Sequence, residues 1–202
     1  MREFVLIATE GITSPHFQLN DLPGHAGRMD LVARCVNSAL WLSDTLRRDT
    51  KIHVLLEGRP NPPMMVSFDG KKLRGVSPDE RNIAAWIRKA LEWWLSAEEN
   101  PGKWFDVQSG IKVGKIGLKE FLEGVDGDLF ILDKRGKDIR KKRGFPGRSV
   151  FFIGDHRGIP QKYKRLIRRY GAETISVGPK VYLSSHVISY VNIEMDRRSQ
   201  SK

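Results

Sequence analysis

The chain has 202 residues, of which 40% are apolar and 29% charged, and a formal net charge of +11. That length suits one large α/β domain, no apolar stretch approaches the roughly eighteen residues of a membrane span, and the single cysteine, Cys35, excludes an internal disulfide. The charge is uneven: residues 1–100 carry 13 Lys/Arg against 13 Asp/Glu, and residues 101–202 carry 22 against 11.

The run Phe4–Ala8 predicts a first strand that begins without a secretory leader, so a cytoplasmic location is expected. The turn Leu22-Pro23-Gly24-His25-Ala26-Gly27 leads to a helix over about 28–47. Val32, Cys35, Val36, Ala39, Leu42 and Leu46 form its buried face, and Cys35 is read as packing. Ile52–Leu56 is a second strand, closed by Gly58-Arg59-Pro60-Asn61-Pro62-Pro63. Met64–Phe68, Asp69-Gly70 and Lys71–Arg74 predict a strand, a tight turn and a return strand. Ser77-Pro78-Asp79-Glu80 starts a helix, with Ser77 as cap, that ends near Trp94 or Leu95. Its Trp86 and Trp93 widen the apolar sector. Residues 98–110 read as irregular.

A strand near 111–113, a short helix near 118–122 and a strand at Leu129–Leu132 follow. The segment Lys134–Arg148 then holds eight basic residues and one acid, Asp138, and reads as a loop. Its partner is expected to be a polyanion, because neutralised phosphates dominate nucleic-acid affinity; with few apolar residues, it does not suit a membrane surface. A strand at Val150–Ile153, a helix at 161–170, a strand at Thr174–Val177 and a helix at 185–196 complete the chain. Alternating strands and helices predict an α/β fold with a mainly parallel sheet covered on both faces.

Two late loops are marked by glycine: Gly154-Asp155-His156-Arg157-Gly158 and Val177-Gly178-Pro179. Both follow buried strands, where open α/β sheets hold small ligands. No Gly-x-Gly-x-x-Gly, phosphate loop, zinc cluster or Gly-x-Ser-x-Gly elbow is present, and no metal is expected. Arg28 and Asp30 open the first predicted helix. They suit an anionic substrate that loses a proton, although Asp30 also fits as a plain complement to the helix dipole.

Asp21-Leu22-Pro23-Gly24, Gly27-Arg28-Met29-Asp30-Leu31, Pro60-Asn61-Pro62-Pro63, Val76-Ser77-Pro78-Asp79-Glu80-Arg81-Asn82-Ile83-Ala84, Ile153-Gly154-Asp155-His156 and Ser185-His186 occur in this order. The set closely resembles the archaeal tRNA pseudouridine N1-methyltransferases of the SPOUT superfamily, over nearly the whole chain. The resemblance implies a C-terminal trefoil knot, a homodimer, and S-adenosylmethionine held at Leu132, Gly154, Val177, Gly178, Pro179, Lys180, Val181, Tyr182 and Val187. The implied substrate is pseudouridine 54 of tRNA, with Asp30 orienting or deprotonating N1 and Arg28 stabilising negative charge on the ring. Arg34, Arg81, Lys141, Lys142 and Arg143 would hold RNA phosphates. The family commonly has Cys where this chain has Val187, so no thiol chemistry is expected there. The rival expectations are a related methyltransferase of ribosomal RNA and a non-catalytic RNA-binding module that keeps the fold.

Overall fold

A computed structural model describes residues 1–97, 101–145 and 147–200, apart from the side chain of Gln200. Eight strands among these residues form one sheet: β1 (Arg2–Ala8), β2 (Thr50–Leu56), β3 (Met64–Asp69), β4 (Phe105–Gln108), β5 (Ile111–Gly114), β6 (Asp128–Asp138), β7 (Ser149–Gly154) and β8 (Glu173–Ser176). The order is β4-β5-β3-β2-β1-β7-β6-β8. From β2 to β8 the strands are parallel, and β3, β5 and β4 extend the sheet antiparallel. The helices are α1 (Met29–Leu40), α2 (Glu80–Ser96), α3 (Leu118–Glu123), α4 (Gln161–Arg169) and α5 (Ser184–Gln200).

Side chains alternate along β1, so Phe4, Leu6 and Ala8 join the core under α1, α2 and α5. Val5 and Ile7 join a second core with α3 and α4. Both faces of the central strands are thus covered, as their unbroken apolar runs predict. Cys35 is fully buried in the first core, and that burial pushes its thiol up to about 12, in keeping with a packing role.

Several local expectations are corrected. α1 stops at Leu40 instead of running to 47, because Trp41 turns extended and pairs with Leu46 across a short loop, which leaves Leu42 exposed. No return strand follows Asp69-Gly70; β3 takes β5 as its neighbour instead. Asp79 is the N-cap of α2, accepting from the Asn82 N–H at 2.8 Å, while Ser77 donates to Asp79. Within the stretch read as irregular, residues 105–108 form β4, and residues 98–100 lie outside the described residues. The aromatic excess on α2 divides: Trp86 is half-buried against the core with Lys89 Nζ 4.3 Å from its ring centre, whereas Trp93 is 55% exposed.

The most consequential difference is in β6, which continues through Asp138, so the basic segment begins as a strand. Ile175 of β8 pairs with both Leu132 and Lys137, and residues 133–136 bulge out between the two pairings. Gly136 permits this: a Cβ there would lie 2.4 Å from the Ile175 carbonyl carbon. β6 then leads through a 3-10 turn (Ile139–Lys141) into a loop that reaches α5.

Arg198 on α5 donates to the carbonyls of Ile139, Arg140 and Lys142, and its Nε donates to Glu194 at 2.8 Å. Arg198→Ala strands these carbonyls in a half-buried place. The expected loss is about 1–3 kcal/mol of stability, read as a lower urea midpoint at unchanged slope.

Candidate active site at the carboxyl ends of the central strands

The carboxyl ends of β6, β7 and β8 open into a cavity of about 540 Å³. Leu132 ends the regular part of β6, and the bulge contributes Asp133, Lys134 and Arg135. β7 contributes Ile153 and Gly154 and the turn after it Asp155, His156, Arg157 and Gly158; the loop after β8 brings Val177, Gly178, Lys180, Val181 and Tyr182. Of the positions expected to hold a cofactor, Leu132, Gly154, Val177, Gly178, Lys180, Val181, Tyr182 and Val187 all line this cavity, and Pro179 does not. The loop turns on itself through Ser176, whose hydroxyl donates to the Gly178 carbonyl at 2.7 Å. Ser184, at the start of α5, donates to the Gly154 carbonyl at 2.7 Å and so joins two walls.

The chemistry of this lining suits S-adenosylmethionine. Leu132, Ile153, Val177 and Val187 give an apolar slot for a flat ring, and strand-end backbone can read a base edge. Lys134, Arg135 and Lys180 lie at the same cavity, and Asp133 is paired with Lys164 of α4. The group would supply a methyl on a sulfonium, already activated for transfer.

Arg28 and Asp30 sit beside this cavity, whose lining includes the adjacent Leu31. Gly27 and Arg28 both have left-handed backbone (φ 62° and 63°), and a Cβ on Gly27 would lie 1.9 Å from the Glu10 carbonyl oxygen. This close approach packs the start of α1 against the loop after β1. Asp30 is 6% exposed and grips Arg28 twice, Nε to Oδ1 at 3.0 Å and Nη2 to Oδ2 at 3.1 Å. Arg34 adds a bond from Nη2 to Oδ2 at 2.6 Å. Burial pushes the Asp30 carboxyl up, but the hydrogen bonds from Arg28 and Arg34 outweigh it and hold the group below its ordinary value. A carboxylate so engaged is a weak proton acceptor, and its geometry suits aiming Arg28.

The residues expected on RNA are dispersed. Arg34 bonds Asp30 and also Glu80, at 3.4 Å, and Arg81 is exposed at the start of α2. Lys142 is turned inward, pairing with Glu173 at 2.8 Å and lying 4.9 Å from the Phe130 ring centre. Lys141 and Arg143 are exposed. Their loop is fastened to Arg198, roughly 20 Å along α5 from the cavity at 1.5 Å per residue. Lys134 and Arg135, by contrast, are at the cavity itself. Gly136 inside a basic run is the signal in the sequence that could have located them, since an isolated glycine often marks a bulge. Asp155 and His156 line the cavity as part of the glycine loop expected to wall it, whereas Ser184 and Lys164 had no signal in the sequence. Among the described residues no group of three or more His, Cys, Asp or Glu could hold a metal, and no helix is long and apolar enough to cross a membrane.

The double substitution Lys141→Ala/Arg143→Ala is expected to weaken tRNA binding and to reduce the log–log salt slope by about one per lost phosphate contact. Lys142→Ala, which breaks the Glu173 pair, is expected to lower stability and leave the slope nearly unchanged. Filter binding across a salt series and urea unfolding distinguish the two.

A family model for SAM-dependent RNA methyltransferases matches residues 1–200. The tRNA (pseudouridine(54)-N(1))-methyltransferase of Methanocella arvoryzae is 40% identical over 98% of this chain and 100% of its own. The proteins of the same name from Methanococcoides burtonii and Thermococcus kodakarensis are 40% and 39% identical, covering 100% and 97% of this chain and 99% of each relative. Among solved structures, Archaeoglobus fulgidus Nep1 bound to S-adenosylhomocysteine superposes with a TM-score of 0.63 over 98% of both chains at 17% identity, a likeness of fold. With such a match from one end to the other, and a cavity at its strand ends that suits the cofactor, the chain belongs to the SAM-dependent RNA methyltransferase family.

Proposed function

We propose that this protein is an S-adenosylmethionine-dependent tRNA (pseudouridine(54)-N1)-methyltransferase of the SPOUT class, acting on N1 of pseudouridine in the T-arm. The observation that carries the reading is end-to-end identity of about 40% with relatives of that name. The placement of Arg28 and Asp30 beside the cavity supports it. Leu132, Gly154, Val177, Gly178, Lys180, Val181, Tyr182 and Val187 would hold the cofactor, with Pro179 shaping the loop from outside. Arg28 would stabilise charge developing on the ring, and Asp30 would orient it. Lys134 and Arg135, with Arg81, Lys141 and Arg143 farther out, would meet phosphates.

The finer structural readings belong to the same proposal: a single cytoplasmic domain, an archaeal source, a C-terminal trefoil knot and a homodimer. The knot is supported by α5 being joined to Gly154 at one end through Ser184 and to the 139–142 loop at the other through Arg198. The dimer is supported by Val181, 79% exposed, and Leu183, 61% exposed, at the cavity. Nucleoside mass spectrometry tests the function after incubation with S-adenosylmethionine and tRNA carrying either pseudouridine or uridine at position 54. N1-methylpseudouridine from the first substrate alone is expected. Methylated uridine, or no product from either, overturns the reading.

A further inference from the structure

We propose that His156, held by Glu10, takes the proton from N1 of the target base. The inference rests on the methylation reading above, because a ring N–H must lose its proton to become a methylated nitrogen. The carboxylates near the site are already committed. Asp30 accepts from two arginines. Oδ2 of Asp155 accepts from both the backbone N–H and the hydroxyl of Thr9, each at 2.6 Å, and Oδ1 accepts from the Arg157 N–H at 2.8 Å. Asp133 is bonded to Lys164 and to the Arg135 N–H. Among the described residues lining the cavity, His156 is the one imidazole.

Its setting is that of an oriented base. His156 Nε2 lies 3.2 Å from Glu10 Oε2, which places the ring proton on that nitrogen. Nδ1 is then the accepting atom, and it stands 4.0 Å from Asp155 Oδ1, too far for a hydrogen bond. Glu10 and Asp155 face the ring, Arg157 is drawn to Glu10 as well, and Arg28 at the start of α1 feels the charge of both carboxylates. The backbone holds Glu10 in place: its carbonyl lies between Gly27 and Gly58, where an added Cβ would come within 1.9 and 2.5 Å. The Thr9–Asp155 bonds carry the Glu10 and His156 loops together. In the reaction Nδ1 receives the N1 proton, and the pair left on N1 forms the bond to the methyl as the sulfur keeps the C–S pair. The imidazolium then returns its proton to water, which reaches the partly exposed ring.

The test uses the full chain with pseudouridine-containing T-arm RNA under single turnover, saturating S-adenosylmethionine and a pH series, with calorimetric binding of S-adenosylhomocysteine in parallel. His156→Ala is expected to bind that ligand within about threefold of wild type. At neutral pH it should lose about a hundredfold or more in rate, to regain rate as pH rises where wild type levels off, and to be rescued by added imidazole. Glu10→Gln, which keeps the shape of the loop, should lose a smaller part of the rate. A His156→Ala rate within about threefold of wild type, or a rate loss with the wild-type pH profile and no imidazole rescue, overturns the proposal. If His156→Ala fails to bind the ligand, Glu10→Gln decides: a wild-type rate and pH profile overturn it. A wild-type protein that leaves pseudouridine unmethylated overturns the functional reading instead, so the two failures are distinct.

Discussion

Asp30→Ala is expected to lower the single-turnover rate by about a hundredfold or more while cofactor binding stays within about threefold. The carboxylate receives Nε and Nη2 of Arg28 in a two-point grip and a third bond from Arg34, and it is almost wholly buried. Without it Arg28, whose backbone is already left-handed, loses the contact that fixes its guanidinium. Asp30→Asn separates the two roles open to this residue. An orienting group leaves the amide oxygen to accept one of the Arg28 bonds, so Asn recovers part of the rate. A proton acceptor has no such recourse, and Asn is then as slow as Ala. The depressed carboxyl favours the first result. An Asp30→Ala protein that methylates at nearly the wild-type rate removes Asp30 from both roles.

The second large effect is on stability, at Glu3. This side chain is 0% exposed in β1 and accepts from Arg148 at 3.0 and 2.8 Å, with His53 Nε2 at 3.3 Å. Burial alone would raise its pKa, but the hydrogen bonds and charges of His53 and Arg148 reverse this and bring it to about 2. Glu3→Ala leaves the buried His53 and the half-buried Arg148 without their anion, and a loss of about 3–5 kcal/mol is expected. Because the folded pKa lies below the ordinary value of 4.5, the ionised group stabilises the fold above that value. That stability is lost as pH falls from about 4.5 towards 2. Denaturant unfolding of wild type and Glu3→Gln across this window should show the difference between them shrinking. A constant difference would remove the ionic contribution.

What the sequence made legible follows from periodicity and turn chemistry. The apolar runs at 4–8 and 150–153, and the run at 52–56 interrupted only by His53, are of strand length and bounded by turn residues, and Ile83, Ile87, Leu91 and Trp94 keep helical spacing. Both glycine loops lie where strand ends predict a ligand, and they share one cavity. The residues that escaped notice depend on contacts distant in sequence. The Trp41–Leu46 pairing shortens α1, and the alternation in β4, Phe105-Asp106-Val107-Gln108, is only four residues long and gains its strand partner from β5. Lys134 and Arg135 reach the cavity through a bulge set by Ile175. His156 closes the Ile153-Gly154-Asp155-His156 motif, but its link to Glu10 joins positions 146 residues apart, which no local pattern records.

Arg2 bears on how the chain is made. It leaves the ribosome early, yet its guanidinium bonds the carbonyl and side chain of Asn192 at 3.0 and 3.2 Å and pairs with Asp196 at 2.9 Å. Until those residues emerge, the guanidinium has Asp49 as its partner, bonded to Nη2 at 2.8 Å, while Nη1 and the carbonyls beneath Arg198 wait. Vectorial synthesis therefore cannot complete the first strand's surroundings before the last helix arrives. Final closure is slowed by the entropy of bringing such distant segments together.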